Sequence, residues 1–451
     1  MSIELQNLWW ANGRLWDDRD LQKVRQSKLK YHPPVFTHAD FLSMGVFTLR
    51  GPRRVGKTIS LKLFVADLIE NHKVNPRNIV WSTLDTIRTL ERLEVHALEL
   101  LEKYKPQLLI FDEITSVKNW QKLIKKLRDI GVLENVTVIL TGSSAYDLKK
   151  GAERMAGRRG EINNPDRVLL PMDFSEFKKQ FINSSKKIEA EKLASLYLEF
   201  GGFPFVVDAL LKSNFLDPAF ESDEFIKNLM PIFDDVIFYE FTRRKLDRSI
   251  GLEVIARLSQ TQTTNLSFES FAKPLSASRD TIRKYLEALG DSFLVASFQS
   301  FDTSKNRPAP KKDRKFLWVD PALGKLSKFL EQGEAWVPAA CAEILVSTHL
   351  IRLFETRIFE GLSSPRSVFT WKSQSGNDID FLVVNRGKKF TFPVEVKYQN
   401  SISDWDFVSI ERGFKAGGFL VTKKFEKMRD RHRALPLSDF LCLKANDFNL
   451  R

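Results

Sequence analysis

The sequence is poor in cysteine and histidine. It contains two cysteines, Cys341 and Cys442, and six histidines among 451 residues. A disulfide scaffold is excluded, because secreted domains of that class are dense in cysteine. A zinc site is also excluded, since the histidines form no HxH or HxxxH pair and neither cysteine lies near a cluster of such residues.

Long apolar runs are also missing. A membrane-crossing helix needs about 18 or more consecutive apolar residues, and the best candidate, residues 337–354, is interrupted by Glu343, His349 and Arg352. The first ten residues include Glu4 and lack the basic start of a secretory signal. We therefore expect a soluble, cytoplasmic protein with no membrane partner.

Basic residues, in contrast, are in excess. The chain has 70 Lys and Arg against 57 Asp and Glu, a net charge of +13. An excess of this size favours a polyanionic partner, nucleic acid first, although a generic basic surface is the alternative. The length suggests about three domains, and a hydrophobic fraction of 43% is enough for several cores.

The pattern of apolar residues divides the chain into segments. Residues 1–40 read as a Trp-rich N-terminal arm or helical hairpin. In residues 41–171 short apolar runs alternate with amphipathic helices, which predicts an α/β core with a parallel sheet. Residues 172–250 are predicted to be helical. Residues 251–319 show three short helices and a hairpin, the winged-helix pattern, and residues 320–451 return to an α/β pattern.

The strongest motif follows the first apolar run of the core. It fits GxxxxGK[ST] and lies between a predicted strand and a predicted helix, with the residues Gly51, Pro52, Arg53, Arg54, Val55, Gly56, Lys57 and Thr58. Glycines let such a loop wrap a phosphate, and the N–H groups at the helix start favour negative charge. We expect ATP here, with Lys57 on its β- and γ-phosphates and Thr58 on Mg²⁺.

A second motif supports the first. The apolar run Leu108 to Phe111 ends in Asp112 and Glu113, at the sheet edge where ligands bind in open α/β folds. Asp112 is predicted to hold Mg²⁺, and Glu113 to orient and deprotonate the attacking water. Thr141, at the end of a later run, is a further candidate for contact with the γ-phosphate or the water.

Arginine is the remaining element of phosphoryl transfer. Arg158 and Arg159 follow the core helices, and an arginine can stabilise the transition state in cis or in trans. Action in trans would require a homo-oligomer. Exposure to solvent at the surface is an equally supported interpretation for this pair. Arg53 and Arg54 in the loop likewise fit either contact with phosphate or exposure to solvent.

These motifs, in this order, resemble a family of AAA-like ATPases of archaea and bacteria. The resemblance rests on GPRRVGKT, LLIFDEI, VKNW, TGSSA, AERMAGRRG and LLPMDFSEF, and extends from about Asn12 to the end. It implies an additional-strand P-loop core with the strand 136–141 between the P-loop strand and the strand ending in Asp112. It further implies a helical lid that contains the break at 200–204, a winged helix, and a C-terminal domain similar to PD-(D/E)XK nucleases, which have a restriction-endonuclease-like α/β fold.

The C-terminal segment carries its own acidic motif. Asp380 and Glu395 stand on two predicted adjacent strands, and Lys397 follows Glu395 on the same strand face. With Glu343 on the preceding helix, this is the D…ExK arrangement of nucleases that use Mg²⁺ or Mn²⁺. The alternative is a degenerate nuclease fold kept for binding or packing.

Basic residues cluster in the winged-helix segment. One group lies on the polar face of the predicted recognition helix and another on the hairpin, where the basic run extends from Lys305 to Lys315. The residues that we expect to contact DNA are Arg279, Arg283, Lys284, Arg307, Lys311 and Lys312. A protein-interaction module or a solvated face would show the same charges.

Three functions fit this sequence. The first is Mg²⁺-dependent ATP hydrolysis coupled to action on DNA. The second is a nucleotide switch or scaffold in which an inactive nuclease-like domain binds partners. The third is a metal-dependent nuclease gated by ATP.

Overall fold

The computed structural model describes residues 2–11, 14–142, 144–182, 188–329, 337–355, 366–373, 377–385, 387, 390–414 and 417–448. These residues belong to two compact units, Met1–Leu170 and Pro171–Arg451. Among the described helices, none combines the length and the apolar character that crossing a bilayer requires.

The first unit alternates strands and helices along the chain. Its elements are α1 (Ile3–Gln6), α2 (Arg19–Gln26), α3 (His38–Phe41), β1 (Val46–Arg50), α4 (Lys57–Glu70), β2 (Ile79–Thr83), α5 (Leu90–Tyr104), β3 (Leu108–Asp112), α6 (Trp120–Asp129), β4 (Thr137–Thr141), α7 (Ala145–Glu153) and β5 (Asp166–Val168). Strands β1, β3 and β4 are buried along their whole length, as expected for a sheet covered on both faces.

The five strands form one parallel sheet in the order β2-β3-β4-β1-β5. Strand β4 therefore lies between the P-loop strand β1 and the strand β3 that ends in Asp112. This confirms the α/β prediction and the position of the additional strand. Because the strands are parallel, their carboxyl ends share one edge, and the loops after β1, β3 and β4 meet there.

The N-terminal arm packs against this sheet through its tryptophans. Trp9 and Trp10 are buried, and their indole N–H groups donate to the carbonyl of Ile79 at 3.3 and 2.9 Å. The Lys62 ammonium on α4 binds both Asp18 and Asp20 of the arm, at 2.8 and 2.7 Å. The arm consists of short helical turns, so the expected packing is present without a regular helical hairpin.

The second unit begins with helices. They are α8 (Phe174–Ile182), α9 (Ala190–Phe200), α10 (Pro204–Lys212) and α11 (Ser222–Arg243). The predicted break separates α9 from α10, where Gly201 has a φ of +68°. A Cβ on Gly201 would lie 1.8 Å from the Asp320 carboxylate, which accepts the Gly202 N–H at 2.8 Å. Glycine is thus required by this close approach.

A segment of three helices and a hairpin follows. It comprises α12 (Arg248–Gln260), β6 (Asn265–Leu266), α13 (Phe268–Ala272), α14 (Arg279–Asp291), β7 (Val295–Gln299), β8 (Phe301–Asp302), β9 (Arg307–Pro308) and β10 (Arg314–Trp318). Strand β10 lies between β6 and β7 and is antiparallel to both. The side chain of Ser278 accepts the Thr281 N–H and so caps α14.

The chain ends in a mixed six-stranded sheet with flanking helices. Its elements are α15 (Pro321–Leu326), α16 (Pro338–Phe354), β11 (Val368–Lys372), β12 (Asp378–Asn385), β13 (Phe390–Lys397), α17 (Val408–Gly413), β14 (Gly418–Thr422), β15 (Lys427–Arg429), β16 (His432–Pro436) and α18 (Leu437–Phe440). The strand order is β11-β12-β13-β14-β16-β15. The sequence did not predict β15 and β16, since both are short and too few of their residues are apolar to give the signal of a strand.

A buried histidine makes this unit sensitive to acid. The pKa of His349 on α16 is lowered to about 4, mainly by burial and also by the charge of Arg352. The unfolded chain takes up a proton near pH 6.5 and the folded chain does not, so stability is lost as pH falls from about 6.5 to 4, by about 3 kcal/mol in total.

The comparison of the unchanged chain with His349→Gln tests this. We expect the stability advantage of histidine over glutamine to shrink by about 1.4 kcal/mol per pH unit over that window. Urea unfolding of both proteins at several pH values gives the difference, in which other titrating groups cancel. Parallel stability curves would show that His349 titrates normally.

Candidate ATP site

We call residues 51–56, which connect β1 to α4, the phosphate loop. Gly51 has a φ of +148°, and a Cβ on it would lie 2.1 Å from the carbonyl oxygen of Leu169. Gly56, with a φ of +96°, precedes α4, whose first residue is Lys57. Both glycines therefore occupy backbone conformations that other residues rarely adopt. Their conformations place the loop at the N-terminus of α4, where the helix dipole favours a phosphate.

The Lys57 side chain folds back over this loop. Its ammonium donates to the carbonyls of Gly51 and Pro52 at 3.0 and 2.9 Å. Burial lowers the pKa of Lys57 to about 8, against the opposing effects of the Glu113 and Asp112 charges. The surrounding carboxylates therefore compensate the positive charge of Lys57 only in part, as expected of a group that binds an anion.

Thr58 and Asp112 meet beside the loop. The Thr58 hydroxyl donates to the Asp112 carboxylate at 3.3 Å, and Asp112 is 6% exposed at the end of β3. The pKa of Asp112 is raised to about 7, mainly by burial and also by the neighbouring charge of Glu113. A buried carboxylate whose charge is costly, next to a hydroxyl oxygen, fits the hard-oxygen coordination of Mg²⁺.

Glu113 and Thr141 border the same edge of the sheet. Glu113 has a φ of +62°, a conformation that costs a residue other than glycine free energy and is often found at functional sites. Thr141 is buried at the end of β4, next to Leu49 of β1 in the register. Asp85, whose pKa is raised by burial and by Glu113, is a further acidic neighbour that the sequence did not single out.

The arginines take different positions. Arg53 is partly buried and its charge lowers the pKa of Lys57, whereas Arg54 is exposed. Arg159 is buried and donates to the carbonyl of Val46 at 2.9 Å and to Asp166 at 2.8 Å. Val46 begins β1, so Arg159 lies at the end of the sheet opposite to the phosphate loop.

Arg158 lies near Arg159 and is exposed. It forms an ion pair with Asp129 at 2.7 Å, and Asp129 is the last residue of α6. Helix α6 starts after the loop that follows β3 and runs back, so its last residue lies away from the edge that carries Asp112. The structure therefore brings neither Arg158 nor Arg159 to the phosphate loop of its own chain.

Residues 43–178 match the family model for an AAA domain. Most of these residues lie in the first unit, whose parallel sheet is thus similar to the core of P-loop ATPases of the AAA type. A second model, for a domain of unknown function (DUF8612), matches residues 191–329. This match runs across the predicted boundary at residue 250 between the helical lid and the winged helix.

Two related proteins are similar to this chain over more residues than the AAA domain contains. An uncharacterized protein of Haemophilus influenzae is 26% identical over 305 residues, which are 64% of this chain and 69% of that protein. The uncharacterized protein MJ1544 of Methanocaldococcus jannaschii is 28% identical over 272 residues, 56% of each chain. The chain thus spans little more than half of the length of the archaeal relative.

Two solved structures are similar at lower identity. The Walker-type ATPase PABY2304 of Pyrococcus abyssi has a TM-score of 0.39 and 14% identity, covering 68% of this chain and 94% of its own. The Aeropyrum pernix ORC2 protein has a TM-score of 0.40 and 12% identity, covering 74% and 98%. Similarity at these TM-scores does not decide a function.

The predicted C-terminal acidic residues lie together, outside the AAA domain. The Asp380 N–H donates to Glu395 at 3.2 Å, and the Val396 N–H donates to Asp380 at 2.9 Å. The Lys397 ammonium lies 2.8 Å from Glu395. The pKa of Glu395 is raised to about 7, mainly by burial and also by the Asp380 charge.

A residue that the sequence placed elsewhere completes this cluster. Lys315 belongs to the basic hairpin run expected to face DNA, but the structure buries it, with 1% of its surface exposed. Its ammonium lies 2.7 Å from Glu343 and 2.8 Å from Asp380. Burial would lower the pKa of Lys315, but the two carboxylates reverse this and raise it. Lys315 is therefore not available to DNA.

The cluster as folded does not fit a divalent ion. Within the part of the chain that the structure describes, no three Asp, Glu, His or Cys side chains are arranged to hold a metal. The space between Glu343 and Asp380 is taken by the Lys315 ammonium. One signal could have found this lysine: β10 is otherwise apolar from Phe316 to Trp318, and a lysine on a buried strand requires a charged partner.

The other predicted DNA contacts are exposed. Arg283 lies on α14 and pairs with Glu287 at 2.7 Å, still open to solvent. The remaining five candidates are also exposed, on α14 and on the hairpin: Arg279, Lys284, Arg307, Lys311 and Lys312. These two elements belong to the same segment of the second unit.

Proposed function

We propose that the chain is an ATP hydrolase that works with Mg²⁺ at the edge formed by β1, β3 and β4. The observation that carries this proposal is the Thr58–Asp112 hydrogen bond of 3.3 Å beside the Lys57 ammonium. The hydrogen bond brings together the two oxygen groups that would hold Mg²⁺, and Lys57, which would bind phosphate, precedes Thr58 in the same loop and helix start. This is the arrangement that P-loop ATPases use to bind a metal–nucleotide complex.

Each residue at this edge then has a role. The backbone from Gly51 to Gly56 and the Lys57 ammonium bind the phosphates, and Thr58 and Asp112 hold the metal. When bound, Mg²⁺ neutralises charge on the β- and γ-phosphate oxygens. Glu113 orients the attacking water and accepts its proton. Thr141 contacts the γ-phosphate or that water.

The transition-state arginine is proposed to come from a second copy of the chain. Arg158 is exposed and its ion pair with Asp129 lies on the surface, where such pairs contribute little and exchange readily. Arg159 is buried and bound to three acceptors of its own chain. Arg158 is accordingly the better candidate, in a homo-oligomer formed with nucleotide.

We further propose that residues 251–319 are a winged helix that binds duplex DNA. The order of three helices and a hairpin, with exposed cations on both α14 and the hairpin, supports this. Nucleotide state would then be coupled to DNA binding. ATP turnover that rises several-fold with duplex DNA would support coupling, and turnover indifferent to DNA would contradict it.

Salt dependence tests the DNA surface directly. We expect Arg283→Ala/Lys284→Ala to weaken duplex binding about tenfold near 0.1 M salt, because two phosphate contacts are lost. The slope of log K against log salt should become shallower by about 2. Fluorescence anisotropy over a salt series measures both quantities.

A matched control has the same loss of charge on other helices. Lys192 on α9 and Lys227 on α11 are exposed and lie outside the proposed surface. Lys192→Ala/Lys227→Ala should leave the slope unchanged. Equal effects of the two pairs would mean that DNA responds only to net charge.

The second candidate function is a nucleotide switch in which the C-terminal domain binds partners and does not cut DNA. The specific observation in its favour is the Lys315 ammonium among the acidic residues. A nucleotide-dependent change of oligomeric state without DNA stimulation would favour the switch over the DNA-coupled ATPase.

A further inference from the structure

A lysine lies where a nuclease of this type would hold metal. The Lys315 ammonium is within 2.7 Å of a Glu343 carboxylate oxygen and 2.8 Å of an Asp380 oxygen. Lys315 is separated from these residues by 28 and 65 positions in the sequence. The contact is therefore made by the folding of the hairpin segment against the C-terminal sheet.

The fold fixes this lysine in place. Lys315 is opposite Phe298 in the β10–β7 register, so the two side chains share one face of the hairpin. Phe298 packs edge-to-face on Phe381, the residue after Asp380, with ring centroids 5.4 Å apart. The next residue of β10, Phe316, faces the other way and packs on Phe271 of α13. Alternation along β10 thus points Lys315 at the acidic cluster.

Charge in the cluster is nearly balanced without a metal. Three carboxylates (Glu343, Asp380, Glu395) and two ammonium groups (Lys315, Lys397) sum to −3 + 2 = −1 when all are ionised. The second Asp380 oxygen and the second Glu395 oxygen each accept a backbone N–H. A divalent ion would have to displace the Lys315 ammonium from between Glu343 and Asp380, or lie close to it and be repelled.

We propose that Lys315 is the resident cation of this cluster and excludes a divalent metal ion from it. The C-terminal domain, folded in this way, is then a lysine-neutralised relative of a nuclease and not a metal-dependent nuclease. The inference concerns the second unit alone and does not depend on ATP hydrolysis in the first.

Metal binding after removal of the lysine tests the proposal. Asp112→Asn is introduced into every protein so that the ATP site contributes no metal. We expect Lys315→Met to bind one Mn²⁺ per chain at least about 100-fold more tightly than its Lys315 parent, because a like charge has been removed. The electron paramagnetic resonance signal of free Mn²⁺ measures the binding, and Asp380→Asn added to Lys315→Met should abolish it.

Stability provides an independent readout. Without metal, Lys315→Met leaves the buried Glu343 and the partly buried Asp380 without their cation, and its melting temperature should fall by about 10 °C. Mn²⁺ should restore most of this loss, whereas the melting temperature of the parent should not respond to Mn²⁺. Lys315→Arg, which keeps the charge, is the matched control and should gain no Mn²⁺ site.

Two results would overturn the proposal. One is Mn²⁺ binding by the Lys315 parent that Asp380→Asn removes, since the lysine would then not exclude metal. The other is a folded Lys315→Met that binds no Mn²⁺. If Lys315→Met cannot be isolated, Lys315→Gln takes its place. The proposed ATP hydrolysis is tested separately, by turnover assays of the chain that keeps Asp112. Each of the two proposals can therefore fail without the other.

Discussion

Glu113→Gln should bind ATP with unchanged affinity and hydrolyse it at least about 100-fold more slowly. The amide keeps the size and polarity of the side chain but cannot accept a proton from water. The backbone of Glu113 has a φ of +62°, and this strained turn after β3 places the side chain beside Asp112. Single-turnover hydrolysis and equilibrium binding of a fluorescent ATP analogue separate the two effects.

The control for this variant is Glu134→Gln. Glu134 is exposed in the turn before β4, at the end of the sheet away from the phosphate loop. It should hydrolyse ATP at the unchanged rate. Turnover in Glu113→Gln equal to that of the unchanged chain would mean that a different residue activates the water.

Lys57→Ala should lose nucleotide affinity by at least about 100-fold, because a buried charge-assisted contact with phosphate disappears. The loss should be largest for ATP and smaller for AMP, which lacks the β- and γ-phosphates. In the unchanged chain, the affinity for ATP should fall above pH 8. Burial lowers the pKa of Lys57 to about 8, and the neutral amine attracts phosphate less. Isothermal titration with ATP, ADP and AMP measures these differences.

The matched control is Lys122→Ala, which removes an exposed lysine from α6. Its affinities should equal those of the unchanged chain. Equal losses for ATP and AMP in Lys57→Ala would indicate that the whole site had been disrupted, and would contradict a specific role on the outer phosphates.

Local signals were sufficient to predict which residues the fold gathers at the edge of β1, β3 and β4. Gly51, Lys57 and Thr58 lie within eight residues of sequence, and their geometry follows from one strand, one turn and one helix start. Asp112 and Thr141 follow buried strands of the same sheet, so parallel pairing brings them to the same edge. The position of β4 between β1 and β3 was expected from family resemblance, which carries long-range information that periodicity lacks.

The C-terminal acidic cluster could be predicted only in part from local signals. The strand face shared by Glu395 and Lys397 is a property of two positions in one strand and could be expected from the sequence. The Lys315 contact depends on how a hairpin packs against a sheet 65 residues further along the chain. No local pattern encodes that approach, and the surrounding basic residues made Lys315 look like one more exposed cation.

The buried lysine also determines where the chain can be divided. A cut near residue 320, the predicted start of the C-terminal domain, would separate Lys315 from Glu343 and Asp380. The fragment after the cut would keep the buried Glu343 and the partly buried Asp380 without their cation, at a cost of about 3–5 kcal/mol. The hairpin and the C-terminal sheet therefore belong to one structural unit, which we expect to be inherited as a whole. A change to the lysine in a related protein should be accompanied by a change to at least one of its acidic partners.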